Sequence, residues 1–139
     1  MTTPRPSVER FVRRVVLAEL ARRDEGSSES HVAQRIMVRL HRELRILVGT
    51  AGFDVLLSRA LVLAQRSRPS LAGITNGPDG TLRGLEGAAR DDDGRRRDEE
   101  AAIAIVSHFI ELLVTLIGED LAMRLVKDLW PANEEDGRK

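Results

Sequence analysis

Residues 101–117, AAIAIVSHFIELLVTLI, form the most sustained apolar run in the chain, and their reading decides the fold class. At 100° per residue, Ala102, Ile103, Ile105, Val106, Phe109, Ile110, Leu112, Leu113, Val114, Leu116 and Ile117 cover about two-thirds of a helical circumference. A surface helix has a narrower stripe. The segment therefore predicts a helix at the centre of a bundle or along an oligomer seam. Its polar remainder is a single seam of Ser107, His108, Glu111 and Thr115, with Ala104 beside it.

Working outward, Gly118 interrupts the run, and Glu119-Asp120 opens a shorter helix over 119–130. Leu121, Leu125 and Leu129 are its expected apolar side, flanked by Ala122, Val126 and Trp130. Pro131 stops it, and residues 131–139 read as a charged, frayed tail. Upstream, Asp98, Glu99 and Glu100 suit a first helical turn, where the helix dipole favours acids, so the central helix is expected over 98–117.

Residues 70–97 have a different character, with six of the chain's eleven glycines and the turn signals Asn76-Gly77 and Pro78-Asp79-Gly80. They predict a long, flexible, Gly-rich connection, and no strand pattern is visible in them. A calcium-loop pattern is partly matched when Gly94 takes the glycine position, because Asp91, Asp93 and Glu100 then fall on ligand positions. The first position is Ala89 instead of Asp, and Arg95, Arg96 and Arg97 would stand beside the cation, so no metal site is assigned.

The N-terminal half repeats the helical period three times. Val8, Phe11, Val12, Val15, Val16 and Leu20 or Ala21 mark a helix over 7–23. Ala33, Ile36, Met37, Leu40, Leu44, Leu47 and Val48 mark one over 28–48, ended by Gly49. Phe53, Leu56, Leu57, Ala60, Leu61 and Ala64 mark one over 51–67, closed before Pro69. The short link from Val48 to Gly52 makes the last two a helical hairpin. The expected fold is thus all-α, one domain over 1–139: a four- to five-helix bundle with a long Gly-rich connection before its central apolar helix.

Charge is balanced overall, with 22 basic and 22 acidic residues, which removes any global pull toward nucleic acid or membrane. Its distribution is uneven: residues 1–90 carry 15 basic and 9 acidic side chains, and residues 91–139 carry 7 and 13, so the halves stand at +6 and −6. The absence of cysteine excludes a disulfide framework, a thiolate metal site and a cysteine nucleophile. Residues 1–14 lack the apolar core of a signal peptide, and no uncharged apolar run reaches the roughly 18 residues of a membrane span. A cytoplasmic protein without membrane insertion is the expectation.

The most distinctive surface is predicted on the second helix, where His31, Arg35, Arg39, Arg42 and Arg45 share about a third of the wheel with Val38 and Ile46. Arginine suits bidentate contact with carboxylate or phosphate. The two apolar residues inside the basic arc favour a protein partner, since phosphate contact gains nothing from them. Arg39 with Glu43, and Glu19 with Arg23, have the i,i+4 spacing of solvated ion pairs. On the central helix, His108 and Glu111 are three residues apart, but no second Glu-x-x-His helix or nucleophile motif accompanies them. The reading is a non-enzymatic helical module for protein interaction or self-association, a homodimer among the options, with no cofactor and no small-molecule substrate. The alternative is a nucleic-acid-associated regulator whose Arg35, Arg39, Arg42 and Arg45 contact phosphates.

Overall fold

The structure is a computed structural model, and it describes residues 5–21, 32–77, 80–84 and 92–130. The chain is mostly helical, in keeping with the all-α reading. Helix α1 spans Pro6–Ala21, α2 Val32–Ser67, α3 Asp92–Ile117 and α4 Glu119–Leu129. The elements α1, α2 and α4 all pack against α3, and one apolar core runs through them.

The central run behaves as its width demands. Ala102, Ile105, Phe109, Ile110 and Leu113 are fully buried, because neighbours approach α3 from several sides. Phe109 meets Phe53 of α2 with ring centroids 5.0 Å apart. Among the apolar side chains of the run only Leu116, near its end, is exposed. Two helices, Val32–Ser67 and Glu99–Ile117, are long and apolar enough by length and composition to cross a membrane, once two charges are tolerated. In α2 that stretch includes Asp54 and Arg59 and is broken at Gly49.

Glycine makes both sharp corners. Gly49 interrupts α2 at φ 82°, ψ 159°, dividing it into limbs 32–48 and 50–67, and Gly118 separates α3 from α4 at φ 96°, ψ 151°. Both angles lie in the region essentially reserved for glycine, so each corner is set by one residue.

The expected flexible connection over 70–97 needs correction. Pro69–Leu71 is a 3-10 turn, Thr75–Asn76 (β1) pairs antiparallel with Leu82–Arg83 (β2), and α3 begins at Asp92, six residues before the expected start. Strands of two residues carry too little sequence for a period of two to show. Leu71, Ile74 and Leu82 anchor the hairpin in the core, while Gln34 Oε1 accepts from Leu82 N at 3.0 Å and Gln65 Nε2 donates to the carbonyls of Leu71 (3.1 Å) and Ile74 (2.7 Å). Gly80 lies so near α2 that a Cβ would come within 2.7 Å of His41 Cβ. Of the segment holding the partial calcium-loop pattern, residues 92–100 are helical, and residues 89–91 lie outside the described residues. Residues 22–31, 78–79, 85–91 and the expected tail 131–139 lie outside the described residues.

The register of α4 also differs from the apolar stripe read in sequence. Ala122, Val126 and Trp130 form the buried line, and Leu121 is 40% exposed. Leu125 and Leu129 are partly buried beside that line, so of the expected apolar side only Leu121 turns outward, while the large Trp130 ring at the helix end is buried in the core.

Candidate interaction surface

The arginine face of α2 divides in two. Arg35 and Arg39, on the first limb, turn toward Glu19 of α1, whose residue exposure is only 3%. Glu19 Oε1 accepts from Arg35 Nη2 at 3.2 Å, and the same guanidinium also donates to the Glu19 carbonyl. Glu19 Oε2 lies 3.5 Å from Arg39 Nη2 and accepts the indole N–H of Trp130 at 2.9 Å. Arg39 further donates to the Leu129 carbonyl at 3.2 Å and lies over the Trp130 ring, 5.5 Å from its centroid. One buried carboxylate thus ties α1, α2 and α4 together. The local pairings read in sequence, Arg39 with Glu43 and Glu19 with Arg23, missed it, because the true partners are 16 and 20 residues away and 111 residues away.

The second part of the face stays outside. Arg42 and Arg45 are exposed, and among the described residues neither has a carboxylate partner. With Val38, His41 and Thr50 they line an open recess of about 340 Å³ at the Gly49 corner. His41 is itself buried, its ring edge-on to Phe53 with centroids 4.9 Å apart, and its Nε2 has no hydrogen-bond partner among the described residues. Ile46 stands 80% exposed beside this recess, with Leu47 half exposed. Leu47 was expected in the core; the turn at Gly49 lifts it out. His31 lies outside the described residues.

The second limb extends this apolar character. Val55 and Val62, 68% and 43% exposed, lie two helical turns apart on its outer face, with Ser58 and Arg59 between them. A shallow depression runs along them, lined by this one limb alone. The inner arc of Phe53, Leu57, Ala60, Leu61 and Ala64 already fills the contact with α3.

The polar seam of α3 is split by its neighbours. Ser107 and His108 are buried, whereas Glu111 is half-buried and Thr115 exposed. His108 Nε2 and Ser67 Oγ are 3.3 Å apart, while His108 Nδ1 and Ser107 Oγ find no partner among the described residues. Burial holds the His108 imidazole below its ordinary value, with Glu111 pulling weakly the other way. A base without an orienting carboxylate on Nδ1 lacks the third member of a nucleophile–base–orienter relay. Glu111 is engaged elsewhere, accepting from the Arg5 backbone N–H at 2.8 Å and from Arg5 Nε at 3.1 Å. Thr115 donates to the Glu111 carbonyl. Among the described residues no group of three or more His, Asp and Glu side chains is placed to hold a metal ion.

Comparison of the chain with family models, with curated proteins and with solved structures gives no match.

Proposed function

We propose that this chain is a non-enzymatic association module, a four- to five-helix bundle with a Gly-rich connection, that pairs with a second copy of itself through the outer face of α2. The observation that carries this reading is the exposure of Val55 and Val62 on the second limb of α2 and of Ile46 and Leu47 on the first limb before the Gly49 corner, with Arg42, Arg45 and Arg59 exposed and without a carboxylate partner among the described residues. Single exposed aliphatics are ordinary, but a pair on each of two limbs joined at the Gly49 corner, with arginines beside them, can supply the apolar centre and basic rim of an interface. The opposite charges of the two halves of the chain favour a like partner, since a twofold arrangement lets the basic part of each copy meet an acidic part of the other.

Arg35 and Arg39 use their charge within the fold, which leaves two of the four arginines for contact with phosphates and weakens the nucleic-acid alternative. Light scattering across the micromolar range tests the proposal. A mass of two chains that falls toward one on dilution is expected, and a single-chain mass at every concentration contradicts it.

A further inference from the structure

A second surface, away from the outer face of α2, has the composition of a ligand site. Helices α1 and α4 lie side by side in the same direction: Arg5 pairs with Glu119 at their starts (3.1 Å), and Glu19 meets Trp130 at their ends. Between them is a cleft of about 330 Å³, more enclosed than the recess on α2. Arg10 and Arg14 of α1 line one wall and Lys127 of α4 lines the other, with Ser7 also in the lining. Its apolar lining is the buried Phe11 and the half-buried Met123.

The charges in this cleft are not balanced from within. Arg10 and Arg14 are one helical turn apart, a spacing at which like charges repel, and Lys127 adds a third cation across the gap. Among the described residues no carboxylate pairs with any of the three, because Glu9 takes Arg13 at 3.0 Å and Glu119, the one acid lining the cleft, holds Arg5. Three convergent cations over an apolar lining satisfy a compact anion that carries an apolar group. Two guanidinium forks and an ammonium match the oxygens of a phosphate, and the volume leaves room beyond the phosphate for a small ring against Phe11 and Met123.

We propose that the α1–α4 cleft binds a soluble phosphate monoester bearing a small apolar or aromatic group. The phosphate sits among Arg10, Arg14 and Lys127, and the apolar group rests on Phe11 and Met123. This site is independent of self-association through α2, so either can fail without the other.

The test is an amide chemical-shift titration of the full chain with phenyl phosphate, inorganic phosphate and phenol at constant ionic strength. Saturable shifts at Ser7, Phe11, Met123 and Lys127 are expected with phenyl phosphate, at least tenfold weaker binding with inorganic phosphate, and none with phenol. The Arg10→Gln/Arg14→Gln double variant, with unchanged helical circular dichroism, loses at least tenfold in affinity. The proposal is overturned by any of four outcomes: no saturable shift at millimolar phenyl phosphate, equal binding of phenol, affinity unchanged in the double variant, or shifts confined to the Arg42–Thr50 recess. Binding to phosphatidylglycerol vesicles without binding to either soluble phosphate also overturns it.

Discussion

Trp130 donates its indole N–H to Glu19 over 2.9 Å, joining the C-terminal end of α4 to the last turns of α1. The carboxylate that accepts this bond also faces Arg35 and Arg39, so it concentrates three tertiary links in one buried group. Removing it leaves two guanidiniums facing each other without a counter-ion. Glu19→Leu should therefore destabilise the fold by about 3 kcal/mol, in the range for breaking one partner out of a buried pair. Urea unfolding followed by the fluorescence of Trp130, the only tryptophan, measures it. Trp130→Phe keeps a ring for Arg39 but loses the donor and part of a buried ring, so a loss of about 2 kcal/mol is expected from circular dichroism.

Arg39 and Arg42 stand three residues apart on one helix, yet opposite outcomes are expected when each becomes glutamate. Arg39→Glu places a second carboxylate against Glu19 and should cost more than about 2 kcal/mol, while Arg42→Glu changes an exposed side chain and should stay within about 0.5 kcal/mol. From the sequence alone, both lie on one basic helix face, and Arg39→Glu is expected to leave folding intact. Equal stability of the two variants would refute the division of that face.

The two glycine corners give a third prediction. A Cβ at Gly49 or Gly118 meets nothing within 4 Å, so no clash opposes alanine at either position. The backbone angles alone oppose it. Gly49→Ala and Gly118→Ala should each cost about 1–3 kcal/mol in chemical unfolding. A loss near zero would mean that the corners relax to ordinary helical angles.

Burial of His108 makes stability depend on pH. Its folded-state value lies below the ordinary 6.5, so the unfolded chain binds the proton more readily. The contribution is complete above about pH 6.5 and is lost as pH falls from there through the lowered folded value. The urea midpoint of the wild type should thus drop between pH 6.5 and 5 more steeply than that of His108→Gln. Parallel pH profiles would show that the imidazole is not shielded from solvent in the native state.

What the sequence made legible follows from how local each signal is. The core of α3 could be read from its own period, and Gly49 from its place after an apolar run. The hairpin at 75–83 could not, because two-residue strands have no measurable alternation and its anchors Gln34 and Gln65 lie in another element. The arginine face was visible as a pattern, but its division depends on Glu19, which is charged and sits where the first helix offers Leu20 or Ala21 as an equally good apolar continuation. The burial of Trp130 at the end of α4 likewise goes with a polar partner, Glu19, in another helix. Arg10, Arg14 and Lys127 gave one usable signal, a like-charged i,i+4 pair without a matching acid, and its meaning appears only when α4 is laid against α1.

The central claim is that the outer face of α2 holds a second copy of the chain. Sedimentation velocity on the wild type and on Val55→Asp/Val62→Asp at matched concentration tests it most directly, because both valines are exposed and their replacement spares the core. The account predicts a wild-type dimer and a monomeric double variant with the same unfolding midpoint as the dissociated wild type. A wild type that sediments as a monomer throughout, or a double variant that remains dimeric, would contradict it.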